Sequence, residues 1–231
     1  MALRWIRLRL TVLPEADQLQ PDTQDIRREY GQATLARADL HDDPLKQFKD
    51  WFDSANAAQL LDATAMTLAT ADAAGRPSAR IVLLKYYGQD GFVWFSDYRS
   101  QKGVELAENP QGSLMFYWRE LERQVRITGR VSRTSRDMSA EYFASRPDDS
   151  RFSAAASLQS SPIENREALE EAVARLHAQH PDGDIPAPQS WGGYCLVPDE
   201  FEFWQGREGR LHDRFRYAVS GAGWEITRLQ P

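Results

Sequence analysis

The stretch Phe201–Phe215, FEFWQGREGRLHDRF, concentrates more groups able to do chemistry than any other part of the 231-residue chain. Read as a strand after the Gly206–Gly209 turn, alternation sends Arg210, His212 and Arg214 to one face, and Leu211, Asp213 and Phe215 to the other. Three potentially cationic side chains in a row repel each other unless an anionic or electron-rich group lies over them. The row reads as a platform for a planar anion, and equally as a half-solvated edge strand with its charges outward. Arg80 and Lys85 bracket the apolar run Ile81, Val82, Leu83 and Leu84, and their odd separation predicts opposite faces of a regular strand. Ser100, Gln101, Lys102 and Gly103 stand at a predicted helix start, where free N–H groups and the helix dipole favour a phosphate. Tyr142, Arg146 and Ser150 offer a guanidinium fork between two hydroxyls, a set matched to phosphate oxygens. Tyr142 as core and Arg146 as a helix-end charge fit the same spacing. Gln124 and the pair Gln159 and Ser160 are neutral groups able to hydrogen-bond a heterocycle.

These residues need elements to position them. Asp43 and Pro44 open a predicted helix on which Leu45, Phe48, Trp51 and Phe52 recur at helical spacing, a stripe read as core. Strands are predicted at Ala65–Thr70, Ser78–Tyr87 and Phe92–Phe95, with a hairpin over Gly88–Gly91. A helix follows from about Gln101 to Glu108, ending before Pro110. Ser113–Trp118 and Gln124–Ser132 are two further strands. Thr134 to Asp137 has capping-box form and opens a helix carrying Tyr142 and Arg146, which Pro147 terminates. Ser161 to Glu164 starts another, running to about His180. Strands resume at Trp191 and close with Trp224–Leu229. Short strands with few helices between them predict a mainly β, α+β protein built on an antiparallel barrel. Asp25–Ala38 is helix-compatible but broken by Gly31. Residues 1–24 read as a flexible tail and residues 25–231 as a single domain.

Composition narrows the function. Hydrophobic content of 42% and charged content of 27% fit a folded soluble protein, and a net charge of −6 argues against general nucleic-acid affinity. The lone cysteine, Cys195, excludes an intrachain disulfide and reads as a buried thiol in a reducing cytoplasm. No apolar run reaches membrane-spanning length. The N-terminus MALRWIRLRLTVLP, interrupted by arginines, has no clean signal-peptide core. GxGxxG, P-loop, HExxH and GxSxG motifs are all missing. His41, His177, His180 and His212 form no metal set, and His177 and His180 read as solvent-facing.

Together, RREY at Arg27–Tyr30, RIVLLK at Arg80–Lys85, LERQVRITG at Leu121–Gly129, YFASRPDDS at Tyr142–Ser150, QSS at Gln159–Ser161 and FWQGREGRLHDRF at Phe203–Phe215 closely resemble the pyridoxine/pyridoxamine 5′-phosphate oxidase family. The closing RLQP is also similar, and the match runs in order from about Arg27 to Pro231. The resemblance implies a homodimeric, FMN-binding split β-barrel with two active sites across the subunit interface. It assigns FMN to Arg80, Ile81, Val82, Leu83, Leu84, Lys85, Phe95, Ser96, Gln101, Lys102, Gln124, Gln159, Ser160, Trp204 and Arg214. It assigns the substrate phosphate to Lys85, Tyr142, Arg146 and Ser150. Arg210 and His212 become catalytic residues over the pyridine ring, with Arg27, Arg28 and Tyr30 covering it.

The implied reaction is oxidation of pyridoxamine or pyridoxine 5′-phosphate to pyridoxal 5′-phosphate in vitamin B6 synthesis and salvage. A hydride leaves the substrate C4′ for flavin N5, and O2 regenerates the flavin and yields H2O2. Two relatives in fold are the alternatives: a flavin oxidase of the phenazine-biosynthesis type, and a non-catalytic flavin- or haem-binding split barrel. Tyr142, Arg146 and Ser150 speak against the first, and Arg210 with His212 against the second. Four positions depart from the family pattern. Gln101 stands for an arginine, Ala155 for an aromatic, Leu158 for a lysine and Gly209 for a polar residue, which implies weaker FMN retention.

Overall fold

The computed structural model describes residues 28–231. Arg27 and the tail assigned to residues 1–24 therefore lie outside the described residues. The helix α1, Pro44–Ala57, starts as its sequence dictates: Asp43 accepts from the Leu45 N–H at 2.9 Å, and Pro44 occupies the first turn. Its stripe is core, as expected. Phe48 is fully buried and packs against Phe52, Tyr87, Phe92, Phe116 and Trp118 with ring centroids 5.0–6.2 Å apart.

Nine antiparallel strands follow: β1 Ala65–Ala71, β2 Pro77–Leu83, β3 Tyr86–Gly88, β4 Gly91–Asp97, β5 Gln111–Trp118, β6 Arg123–Arg133, β7 Trp191–Gln205, β8 Asp213–Ser220 and β9 Gly223–Leu229. The helices are α2 Gln101–Glu108, α3 Arg136–Ala144, α4 Asp148–Ala156 and α5 Arg166–Gln179. The sheet order is β2-β1-β5-β6-β7-β4-β3, and β8 with β9 branches from β7. That branch splits the barrel. One edge of β7 pairs with β6 along its length, while the other pairs with β4 over Trp191–Leu196 and then with β8 over Glu200–Gln205. The register slips between Thr128 and Gly129, where a Cβ on Gly129 would stand 2.0 Å from the Val197 carbonyl oxygen. A second, smaller core of Phe143, Phe152, Ile185 and Trp191 seats the helices α3 to α5. No helix among the described residues is long and apolar enough to cross a membrane.

Several elements differ from the sequence expectations. Ser78–Tyr87 is not one strand: β2 ends at Leu83, Leu84 turns into the core, and β3 begins at Tyr86. Between Asp25 and Ala38 no α-helix forms among the described residues; a single 3-10 turn follows at Arg37–Asp39. Ser135 rather than Thr134 caps α3, and Asn165 rather than Ser161 caps α5, each accepting from the N–H three residues on. Pro147 both stops one helix and opens another, α4, whose first turn carries Asp148 and Asp149. His177 is half-buried and stacks on Phe152 at 3.7 Å. Cys195 is only partly buried, its thiol facing the Asp90 carbonyl at 3.1 Å.

Candidate active site

A cleft of about 1070 Å³ opens beside the edge strand β2 and runs to α2 and α4. Its lining includes Arg80, Ile81, Val82, Leu83, Lys85, Phe95, Ser96, Gln101, Lys102, Tyr142, Arg146, Ser150, Gln159 and Ser160. Arg80 and Lys85 thus share one cleft instead of taking opposite faces, because the chain bends at Leu84. Leu84, assigned to FMN by resemblance, is 4% exposed and lies in the core, away from the cleft.

At one end stands a polar network around α2. The Glu105 carboxylate accepts from Thr70, Ser78, Gln101 and Arg80, the last at 3.2 Å. Burial pulls its pKa upward, but these donors outweigh burial and hold it below the usual range. Arg80 is thereby neutralised. Lys102 is not: it is 6% exposed and donates to Ser96 at 3.1 Å, Ser100 at 3.0 Å and Gln159 at 2.8 Å, all neutral. Burial, reinforced by the neighbouring Arg80 charge, pushes its pKa down to about 8. Asp97 and Glu105 oppose that shift from a distance, but no carboxylate touches the ammonium, and a buried ammonium hydrogen-bonded only to neutral groups suits an anion.

The other end is built on α3 and α4. Tyr142 lies in α3, Arg146 in the linker and Ser150 in the first turn of α4, so the trio spans two helices and not one. Tyr142 stacks on Phe95 at 4.0 Å, and the Arg146 guanidinium lies 5.0 Å from the Trp191 ring centroid. The buried Nη1 of Arg146 has no partner, and burial pulls the pKa of Arg146 down. Lys85 stands 5.9 Å from the Tyr142 ring.

The remaining candidates form a second cluster that does not line the cleft. Gln124, Trp204 and Arg214 sit side by side across β6, β7 and β8. Trp204 is 4.6 Å from the His212 ring, and Tyr30 meets both edge-on at 5.7 and 5.5 Å. A Cβ on Gly206 would come within 2.7 Å of the Tyr30 ring, so only glycine lets that ring close down. Arg28 reaches across to Glu122 at 3.3 Å.

The row expected of Arg210, His212 and Arg214 is broken. Arg210 belongs to a 3-10 turn at φ 64°, beside Gly209 at φ 61°, and β8 starts only at Asp213. His212 Nδ1 accepts from the Arg207 N–H at 3.1 Å, which leaves the ring proton on Nε2. Burial first, then Arg210 and Arg214, lower its pKa. Both the shift and the Arg207 N–H donated to Nδ1 favour the neutral ring. Arg214 is itself paired with Glu202 at 2.9 Å and donates to the Gln230 carbonyl at 2.8 Å.

Sequence reasoning passed over Ser78, Glu105, Glu122 and Trp191. Ser78 was within reach, since alternation from Arg80 puts it on the same face of β2. Glu105 lies four residues beyond Gln101, one helical turn away. Nothing local marks Glu122 or Trp191, whose contacts come from distant parts of the chain. Of the four departures, Gln101 donates to Glu105 at 2.9 Å, Leu158 is 59% exposed, Ala155 packs against the smaller core, and Gly209 fills a left-handed position.

A sheet split at β7, capped by an aromatic helix and flanked by a cationic cleft, defines an antiparallel split β-barrel. Two family models cover most of the chain: "Pyridoxamine 5′-phosphate oxidase" matches residues 52–180, and "Pyridoxine 5′-phosphate oxidase C-terminal dimerisation region" matches residues 191–231. The chain belongs to the pyridoxine/pyridoxamine 5′-phosphate oxidase family, a family of oxidoreductases. It is 55% identical over 208 residues to the pyridoxine/pyridoxamine 5′-phosphate oxidase of Paraburkholderia phymatum, covering 90% of this chain and 98% of that protein. The protein of that name from Herminiimonas arsenicoxydans is 51% identical with the same coverage. Among solved structures, PhzG from Burkholderia lata 383 in complex with tetrahydrophenazine-1-carboxylic acid superposes with a TM-score of 0.81 at 32% identity, covering 87% of this chain and 100% of that one. An FMN-binding protein from Nostoc punctiforme shares the fold with a TM-score of 0.64 at 18% identity, covering 86% of this chain and 100% of its own.

Proposed function

We propose that the protein is an FMN-dependent oxidase that converts pyridoxamine or pyridoxine 5′-phosphate to pyridoxal 5′-phosphate, with O2 as acceptor and H2O2 as co-product. One observation carries this reading: a single cleft holds three cations with no carboxylate partner among the described residues, Lys102 at one end and Arg146 with Lys85 at the other. Two such stations suit two phosphates, one on the cofactor and one on the substrate. Lys102, Ser96, Gln159 and Ser160 would hold the FMN phosphate end, with Arg80 steadied by Glu105 beside them. Lys85, Tyr142, Arg146 and Ser150 would hold the substrate phosphate. FMN supplies the hydride acceptor and the route of electrons to O2.

The ring platform of Arg210, His212, Trp204 and Tyr30 lies outside the cleft of its own chain, so we assign it to the cleft of a second copy. The homodimer draws support from the family's dimerisation region and from Ile81 and Leu83, 63% and 43% exposed on the edge strand β2 beside the cleft. In that arrangement neutral His212 offers its Nε2–H to the substrate ring, Arg210 adds positive potential, and Tyr30 excludes water. A cytoplasmic setting fits this chemistry.

This use of His212 has a pH consequence. Protonating Nδ1 breaks the bond from the Arg207 N–H, so kcat/KM is expected to fall as pH drops through a midpoint below 6.5, the ordinary histidine value. Arg210→Gln removes a like charge that holds the midpoint down, so the acid limb of that variant should move to higher pH. A pH profile in which the limb stays put or moves down would contradict the assignment.

The likeness to PhzG favours a second reading, oxidation of a carboxylated tricyclic ring. The direct test is anaerobic addition of pyridoxamine 5′-phosphate to the FMN-loaded protein, followed by absorbance of the flavin. Bleaching, and release of pyridoxal 5′-phosphate after air is admitted, are expected. Bleaching by a reduced phenazine carboxylate alone would establish the second reading instead.

A further inference from the structure

We propose that Glu122 is a positioning residue for Tyr30, fixing the cover over the ring platform; its consequence for substrate rests on the function proposed above. Glu122 ends the 3-10 turn Arg119–Leu121 between β5 and β6, in the left-handed region at φ 53°. Gly or Asn takes that conformation more easily, so the backbone alone gives no reason for a glutamate there. Its side chain is only 3% exposed. One carboxylate oxygen accepts from the Gly31 N–H at 2.9 Å and the Gln32 N–H at 3.0 Å, and the other from Arg28 at 3.3 Å. These donors flank Tyr30 on both sides.

The main chain of Glu122 is tied just as firmly in the other direction. Its carbonyl accepts from the Gly206 N–H at 2.8 Å and from Gln205 Nε2 at 3.1 Å. Gly206 is the residue on which the Tyr30 ring rests, next to Trp204. A single residue therefore fastens the segment bearing Tyr30 and the strand end bearing Trp204 to the same point. A carboxylate suits this task because it only accepts, and it faces three donors. Glutamine would turn an amide toward one of them, and alanine would leave the three donors without this acceptor.

The role is testable with the FMN-loaded protein in four forms: wild type, Glu122→Ala, Tyr30→Ala and the double variant, with Glu122→Gln as a milder replacement should Glu122→Ala fold poorly. Amide exchange at Gly31 and Gln32 is expected to accelerate about tenfold or more in Glu122→Ala, the scale of a lost hydrogen bond to a charged group, and by a smaller factor in Glu122→Gln, whose one remaining oxygen is neutral but can still accept from both N–H groups. Exchange at Val125 and Ile127 in β6 should stay at the wild-type rate. The KM for pyridoxamine 5′-phosphate should rise in Glu122→Ala as in Tyr30→Ala, flavin content should be unchanged, and the double variant should be no worse than Tyr30→Ala alone. Unchanged exchange at Gly31 and Gln32, or losses that simply add, would overturn the proposal. Failure of the wild type to oxidise pyridoxamine 5′-phosphate would sink the functional reading instead, and the exchange rates would still decide whether Glu122 holds the segment.

Discussion

Lys102→Met is expected to lose FMN while raising the melting temperature of the apoprotein. The two effects have one cause. In the free protein the Lys102 ammonium is buried among neutral partners, and its pKa has fallen to about 8. Against the ordinary value of 10.5, and discounted for solvent screening, this shift corresponds to a cost on the order of 2 kcal/mol at pH 7. Methionine fills similar space without the charge. Its substitution strands no hydroxyl, because Ser96 still donates to Gln159 and Ser100 to the Asp97 carbonyl. When FMN binds, the balance reverses. Removing one member of a buried charge pair costs about 2–5 kcal/mol, or about 30-fold to several-thousand-fold in affinity. The pH dependence gives a second reading of the same group. If FMN binds the protonated lysine, wild-type affinity is full below pH 8 and declines toward tenfold per unit above it, whereas Lys102→Met should show no such decline. Flavin fluorescence titrations and thermal melts of both apoproteins measure all of this. Wild-type FMN affinity in Lys102→Met would remove the lysine from the cofactor site.

What could be read from the sequence was what short-range rules decide. Asp43 and Pro44 define the start of α1 by themselves, and Gln101–Glu108 is bounded by its own cap and by the Asn109–Pro110 step. Where two local rules compete, the sequence gives no way to choose. Pro147 obeys both the rule that ends a helix and the rule that opens one, so α4 stayed hidden behind α3. Alternation from Arg80 to Lys85 assumes a strand that continues, but Leu84 is drawn into the core and Lys85 follows round the bend. Alternation through Arg210 fails similarly, because consecutive left-handed residues at Gly209 and Arg210 cannot belong to a strand. Glu122 was invisible for another reason. It is an ordinary surface-type residue whose meaning lies in donors from other elements, more than 90 positions away for Gly31, whereas Glu105 has one of its donors, Gln101, a helical turn away. The division of the site into a cleft and a separate platform depends on the three-dimensional path of β7, and no spacing in the chain records it.

Arg146→Ala and Arg210→Ala should separate the two halves of that site. Arg146 presents a buried Nη1 without a partner, lodged against Trp191 and Phe143. If it holds the substrate phosphate, it touches a part of the molecule that does not react, so its contribution is the same in ground and transition states. Arg146→Ala should then raise KM by about 10- to 150-fold, the equivalent of about 1.5–3 kcal/mol, with little change in kcat. Folding should tolerate the change, since the loss of the Trp191 contact is offset by removing an unsatisfied buried donor. Arg210 is exposed in its own chain and held at φ 64°, a strained placement for a side chain that makes no hydrogen bond among the described residues. Alanine at this position keeps the same backbone strain, so any effect belongs to the guanidinium. Against the reacting ring its loss should lower kcat together with kcat/KM, because a misplaced ring spoils hydride alignment. Both variants should retain FMN, as neither residue lies in the Lys102 station. Steady-state kinetics with pyridoxamine 5′-phosphate and flavin content for each variant make the test. An unchanged KM in Arg146→Ala, together with flavin loss in Arg210→Ala, would mean that the division of the site into phosphate clamp and ring platform is wrong.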